Sequence, residues 1–196
     1  MKRTILSLLL VLLAVSRALA SDPEQAVFSS VEGAVNVDQP TGVQVRARKG
    51  DALRRKSMVA TSNRGTALLK TTDGSETRIH PATAFVFEAD HEGSQGDRQV
   101  LLQLRLGRLV AKVKGDLPDG SAYVIAVGAL RFAALEKAEF SVHYNPRKER
   151  VVLEVLDGEV IAGPKRQGRT FGRGERATYV KGVLQRTRKA GESGAP

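Results

Sequence analysis

The chain has 196 residues, 41% of them hydrophobic, and 31 Lys and Arg against 21 Asp and Glu, for a formal net charge of +10. It contains no cysteine, which excludes disulfides, thiolate zinc sites, cysteine nucleophiles and lipid attachment through an N-terminal cysteine. It also has no tryptophan and only 5% aromatic residues, which argues against the base-stacking platforms that bind single-stranded nucleic acid.

The first element is a leader. Lys2 and Arg3 precede an apolar run from Ile5 to Val15, and Ala18-Leu19-Ala20 supplies the small-x-small pattern of a cleavage site. The run is about half of the ~20 residues a membrane-spanning helix needs. Residues 1–20 are therefore expected to be a signal peptide cut near Ala20-Ser21. The mature chain is expected in the periplasm, with full secretion as the alternative. No later stretch is apolar and long enough to span a membrane as a helix, so the processed chain is expected not to cross one. Residues 21–30 read as a lead, 31–186 as one domain and 187–196 as a disordered tail without hydrophobic anchors.

Within the domain the apolar period is two. Val100, Leu102, Leu104 and Leu106 alternate with polar residues, as do Tyr123, Ile125 and Val127. Phe140, Val142 and Tyr144 repeat the pattern, and so do Val151, Leu153 and Val155. This period places such residues on one face of a strand. Gly50-Asp51, Arg64-Gly65, Asp73-Gly74, Asp119-Gly120, Asn145-Pro146, Asp157-Gly158 and Gly163-Pro164 punctuate the runs as turns. Residues from Ala89 to Arg98 carry no apolar pattern and read as a loop. The Ala-rich segment Ala129 to Ala138 reads as a short turn or bent strand. Gly107 marks a change of phase: even-numbered residues are apolar before it, whereas Leu109, Ala111 and Val113 are apolar after it. A one-residue slip exchanges the two faces, so Gly107 is expected at a bulge or sharp bend. The fold class is all-β, either a short wound β-solenoid or a sandwich-like domain of many short strands.

Charge is unevenly placed. Arg46, Arg48, Lys49, Arg54, Arg55 and Lys56 share a short segment with one acid, Asp51. Lys165, Arg166, Arg169, Arg173, Arg176, Lys181, Arg186, Arg188 and Lys189 crowd the end with one acid, Glu175. From these zones Arg46, Arg48, Lys49, Arg54, Arg55, Lys56, Arg173 and Arg176 form the candidate anion or partner patch, because arginine presents planar paired donors to phosphate and carboxylate. The competing reading is a solvated face that keeps the protein soluble.

Nothing points to catalysis. His80, His91 and His143 lack metal-ligand spacing and read as surface histidines; nucleophile elbows, phosphate-cradling loops and dinucleotide fingerprints are absent. Asp73 and Glu76 lie close together, and a carboxylate capping its own turn is the simpler account. No enzyme activity, cofactor or metal is expected.

A sequence-wide resemblance sharpens the reading. Glu32-Gly33-Ala34-Val35 is followed by Gly50-Asp51, Met58-Val59-Ala60-Thr61, Ala67-Leu68-Leu69 and Asp73-Gly74-Ser75-Glu76-Thr77-Arg78-Ile79. Then come Leu104-Arg105-Leu106-Gly107-Arg108-Leu109, Phe140-Ser141-Val142, Leu156-Asp157-Gly158-Glu159-Val160 and Gly174-Glu175. In this order the motifs resemble the periplasmic FecR domain, the sensing part of iron-uptake anti-sigma regulators and of stand-alone envelope proteins. The resemblance covers about 31–181. It implies a wound β scaffold with structural corners at Gly50, Asp51, Asp73, Gly74, Ser75, Gly158 and Gly174, to which the phase change adds Gly107. The chain departs from the family at Glu136-Lys137-Ala138-Glu139, where relatives carry Arg-Gly-Thr, and at Val127-Gly128, where they carry Thr-Pro. Full-length regulators of this kind also bear a cytoplasmic sigma-binding domain and a membrane helix, neither of which is legible here. The expected function is a non-enzymatic periplasmic module for protein–protein interaction or signal sensing in the cell envelope. The alternative is a cationic binder of peptidoglycan, lipopolysaccharide or another anionic envelope polymer; nucleic acid is not an expected partner.

Overall fold

Alternating apolar residues become strands along the whole domain. The computed structural model describes residues 26–92, 98–115, 118–164 and 168–189; the leader and its cleavage site lie outside them. In chain order the strands are β1 (Ala26–Glu32), β2 (Val35–Asp38), β3 (Gln44–Arg46), β4 (Ala52–Leu53), β5 (Ser57–Thr61), β6 (Thr66–Thr71), β7 (Glu76–Ile79), β8 (Ala84–Glu92) and β9 (Arg98–Val113). They continue with β10 (Ala122–Val127), β11 (Leu130–Ala134), β12 (Ala138–Asn145), β13 (Arg150–Asp157), β14 (Glu159–Pro164), β15 (Arg169–Gly172), β16 (Glu175–Val180) and β17 (Val183–Lys189). A 3-10 turn at Pro146–Lys148 is the one helical element among the described residues.

Pairing sorts these strands into two sets that share β9. Sheet I runs β4-β1-β6-β7-β9-β12-β13-β16-β17. Sheet II runs β3-β2-β5-β8-β9-β10-β11-β14-β15. Neighbours are antiparallel except β9 and β10, which are parallel. After β9 the hairpins alternate between sheets, β10–β11 in II, β12–β13 in I, β14–β15 in II and β16–β17 in I. Each lies beside the previous hairpin of its own sheet. The N-terminal strands consequently collect on one edge of the fold and the C-terminal strands on the other.

The strand β9 can serve both sheets because of Gly107. Val100, Leu102 and Leu104 are buried upstream, where β9 pairs with β8 and β10; Leu109, Ala111 and Val113 are buried downstream, where it pairs with β7 and β12. Gly107 has φ +89, and a Cβ there would lie 2.5 Å from Thr83 Cα and 2.6 Å from the Ala82 carbonyl oxygen. The next residue, Arg108, donates its N–H to Thr83 Oγ1 at 3.0 Å. Leu106, expected on the apolar face, is instead 39% exposed, because a bulge lets it pair with Ala84, next to the inward Phe85 that pairs with Leu104.

Inward side chains of the two sheets meet in one core. All six phenylalanines of the chain, Phe28, Phe85, Phe87, Phe132, Phe140 and Phe171, are at most 1% exposed. Burial of each contributes about 1.5–3 kcal/mol. Phe132 of sheet II meets Tyr179 of sheet I edge-on, with ring centroids 5.8 Å apart. Buried hydroxyls of Thr77 in sheet I and Tyr123 in sheet II hydrogen-bond to one another across the core. That pairing satisfies two polar groups that would otherwise be costly to bury.

Several boundaries differ from the sequence expectation. Strand β1 begins at Ala26, and its buried Ala26 and Phe28 pair with β4 and β6, so 26–30 belongs to the domain rather than to a lead. Strand β17 continues to Lys189, three residues into the expected tail, because β16 offers it a partner as far as Glu175. The loop expected from Ala89 to Arg98 shrinks from both ends: β8 reaches Glu92 and β9 starts at Arg98, since backbone pairing extends a hairpin without an apolar face. Gly163-Pro164 is no turn but the end of β14, paired to Arg131 and Leu130. Leu130–Ala134 is a regular strand paired on both sides.

The crossover predicts its own test. Gly107→Ala must strain a positive φ and displace the Ala82–Thr83 backbone, so urea unfolding is expected to show a loss of about 2–4 kcal/mol at unchanged m-value. A loss below about 0.5 kcal/mol would mean that the bend tolerates a side chain.

Candidate functional site

Corner residues precede the charged ones, since they set where the charges stand. Gly50, Gly74, Gly107, Gly158 and Gly174 all adopt positive φ. Asp51 Oδ2 accepts the Arg48 N–H at 2.7 Å and closes the turn between β3 and β4. Asp73 caps its own turn: Oδ1 accepts the Ser75 N–H at 3.0 Å and the Thr71 hydroxyl at 2.6 Å, and Oδ2 accepts the Ser75 hydroxyl at 2.9 Å. Ser75 Oγ in turn accepts the Lys114 N–H at 3.1 Å, which ties the β6–β7 turn to the end of β9. These carboxylates are occupied with backbone and hydroxyl donors.

The first basic zone lies on the edge formed by β3 and β4. Arg46, Arg48, Lys49, Arg54, Arg55 and Lys56 are all exposed. Arg46 Nη2 donates to the Gly33 carbonyl at 3.2 Å, and Arg55 Nε donates to the Glu88 carbonyl at 2.9 Å, so both heads are partly held. Arg54, Arg55 and Lys56 form one wall of an open groove of about 390 Å³ whose other wall is Gln39, Pro40 and Thr41.

Arg173 and Arg176 are not brought to this zone. Arg173 is in the β15–β16 turn and Arg176 on β16, beside the opposite edge. Eight strand steps separate β4 from β17 in sheet I, roughly 38 Å at ~4.8 Å per step. The patch inferred from sequence thus divides into two distant surfaces, because strands add outward from β9 in chain order.

What joins Arg176 instead is a set of side chains on the outer face of sheet I. One row across the strands passes through Arg78, Val110, Ser141, Glu154, Arg176 and Arg188. The adjacent row passes through His80, Arg108, His143, Val152, Thr178 and Arg186, and Arg150 stands next to it opposite Asn145 and Val180. Glu154 is the one carboxylate in these rows; it lies 3.7 Å from Arg108, whose Nη2 also donates to Ser141 Oγ at 3.3 Å. The next row is different in kind: Lys70, Glu76, Lys112 and Glu139 alternate in sign, and Asp157 follows. Such opposite-charge pairs stabilise a sheet, whereas in the arginine rows Glu154, opposite Arg176 and near Arg108, is the one carboxylate set against them.

This field acts on the two histidines. Partial burial holds His143 below the ordinary imidazole range, and the charges of Arg108, Arg150 and Arg176 push it further down. His80 is lowered in the same way, by burial first and then by Arg108 and Arg78. Arg78 and His80 also line a shallow groove of about 350 Å³ with Ser30, Glu32, Thr66 and Leu68. The sequence read His143 as a surface histidine and singled out none of Arg78, Arg108 and Arg150 as site residues. It carried no signal that these four share one face, since Arg78 meets Val110 and Arg108 meets His143 across long stretches of chain.

A third surface is the turn into β12, where the chain departs from the resembled family. Glu136 and Lys137 border a recess of about 240 Å³ with Ala133, Leu135, Glu159, Ile161 and Thr170 on the outside of sheet II, and Leu135 is 50% exposed. Among the described residues no group of three or more His, Asp or Glu could hold a metal ion, and no helix is long and apolar enough to cross a membrane.

Comparison with known proteins bears on the scaffold. The model of the family described as FecR protein matches residues 57–161, from the start of β5 into β14. Both basic zones lie outside that span. Two solved structures of a protein assigned as an anti-sigma factor from Parabacteroides distasonis ATCC 8503, at 2.50 Å and 1.65 Å resolution, share the fold. Each has a TM-score of 0.56 at 13% identity, covering 67% of this chain and 59% of that one. The chain therefore spans well under two thirds of these neighbours' length. No curated protein matches it.

The lowered histidines set a pH dependence. Between their folded-state values and about 6.5 the unfolded chain binds more protons, so this stability is complete above about pH 6.5 and is lost as pH falls through the folded values. The melting temperature is expected to drop on acidification from about pH 7 to about pH 5, and less steeply in a His80→Gln/His143→Gln variant. Equal slopes in the two proteins would show that these histidines feel no such field.

Proposed function

Because the chain belongs to the FecR family, we propose that it works outside the cytoplasm as a non-enzymatic envelope module, whose wound β scaffold presents its free edges to a partner protein in a signalling or sensing assembly. The observation that supports this most is the division of the chain itself. Family-like sequence forms the central strands around β9, while the strands outside the matched span, β1–β4 and β15–β17, include the open edges and carry the basic zones. Edge strands leave backbone donors and acceptors unpaired, which is how one chain extends the sheet of another. A shared core between the two strand sets suits this role, since it holds the edge strands apart.

A second reading draws on the exposure of Arg46, Arg48, Lys49, Arg54, Arg55 and Lys56: a cationic binder of peptidoglycan, lipopolysaccharide or another anionic envelope polymer. Affinity capture from native envelopes separates the two. A protein partner retained at high salt is expected on the first reading. Capture of polymer alone, released by salt and abolished by Arg54→Gln/Arg55→Gln/Lys56→Gln, would replace it with the second.

The location has its own check. Osmotic-shock fractions are expected to contain the protein with Ser21 at its N-terminus; an intact Met1 on a cytosolic product would overturn the envelope assignment.

A further inference from the structure

The arginine rows on sheet I are a surface distinct from the edge zone of Arg46–Lys56, and their chemistry can be carried further. Six arginines, Arg78, Arg108, Arg150, Arg176, Arg186 and Arg188, stand on strands β7 to β17 with Glu154 as the one carboxylate among them. Five strand steps make this band roughly 24 Å wide at ~4.8 Å per step, enough for several charged headgroups side by side. No lysine interrupts these rows, and the planar guanidinium pairs with phosphate through two parallel hydrogen bonds.

Apolar groups sit at one end of the band. Val180 and Val183 follow Arg150 across the strands, and the β16–β17 turn between them is Lys181-Gly182. Val183 is 60% exposed and Leu184 37%. Basic side chains beside exposed aliphatic ones are the combination that seats a protein at the interface of an anionic bilayer, the charges on phosphates and the aliphatic groups among the acyl boundary. A soluble acidic polymer would match the charges and leave the exposed Val183 unexplained.

We propose that the outer face of sheet I, from Arg108 and His143 to the β16–β17 hairpin, is a docking surface for an anionic phospholipid membrane. On this surface the phosphates neutralise arginines that outnumber their one carboxylate, Glu154. His143 is faced by Arg108 from β9, by Arg150 and Glu154 from β13 and by Arg176 from β16, with Glu139 on its own strand. Phosphate arriving among these arginines relieves their repulsion of a proton, so His143 takes up a proton as the membrane binds. Binding therefore strengthens at mildly acidic pH.

The test is flotation of the processed chain with vesicles of phosphatidylglycerol in phosphatidylethanolamine, against phosphatidylcholine–phosphatidylethanolamine vesicles. Binding is expected to the anionic vesicles alone, to weaken with salt, and to fall roughly 100-fold in Arg176→Gln/Arg186→Gln/Arg188→Gln. Arg54→Gln/Arg55→Gln/Lys56→Gln, on the far edge, is expected to bind as the unaltered chain does. A Val183→Ser variant keeps the charges and is expected to lose part of the affinity. The His143 pKa, followed by NMR, is expected to rise when anionic vesicles are added. Near-ultraviolet circular dichroism shows whether each variant is folded; should the triple variant fail there, Arg186→Gln with Val183→Ser makes the same test. Three results would overturn the proposal: no binding to anionic vesicles, equal loss in the two arginine variants, or binding of soluble polygalacturonate in place of vesicles. The inference is independent of the partner-protein reading, since vesicle flotation and protein capture can each fail while the other succeeds.

Discussion

The contact between Gly107 and the Ala82–Thr83 backbone is the constraint on which the rest of the fold depends. It lets one sixteen-residue strand present even-numbered residues to the core in its first half and odd-numbered residues in its second. Any other residue at this point would place a Cβ against Thr83. The Thr83 hydroxyl then receives the N–H of Arg108, so the bend leaves no backbone donor stranded at the point where the ladder changes partners. Without the change of phase, one half of β9 would turn its leucines to water, and the two sheets would share no strand.

From that strand outward, placement follows from pairing. Each hairpin after β9 finds its neighbour in its own sheet and its packing partner in the other. The six phenylalanines close the space between the two sheets. Two groups of buried hydroxyls are satisfied within the fold: Thr61 accepts the Thr83 N–H and donates to the His80 carbonyl, and Thr77 meets Tyr123. Among the described residues the buried polar side chains, tyrosines aside, are all Ser and Thr, which leaves the ionic groups to differentiate the surface.

That surface is divided by physical logic rather than by composition alone. Where strands of the central scaffold meet, opposite charges alternate across them, as in Lys70, Glu76, Lys112 and Glu139. Toward β17 the alternation ends and arginines face arginines, Arg176 directly opposite Arg188. Like charges so placed cost stability, a cost that a counter-charge from outside would offset. The β3–β4 edge carries its own cations, held partly by backbone carbonyls. The molecule thus offers two cationic surfaces on a scaffold that otherwise carries more acidic than basic side chains.

The alternation of Tyr123, Ile125 and Val127 and the change of phase at Gly107 made the all-β class and the bend readable from the residues, because strand faces are a local property. Misjudged regions were those where a neighbour supplied the order: Ala89–Glu92 and Thr187–Lys189 lack an apolar pattern and are strands only because β9 and β16 pair with them. The basic zones were likewise visible as runs, yet their separation was not, nor was the company of Arg176 with Arg78, Arg108, His143 and Arg150. By itself the sequence determined the all-β class, most of the inward faces and how much positive charge the chain carries. Only tertiary structure decided which strands are neighbours, and with it which charges share a surface, because cross-strand register is set by packing between residues far apart along the chain.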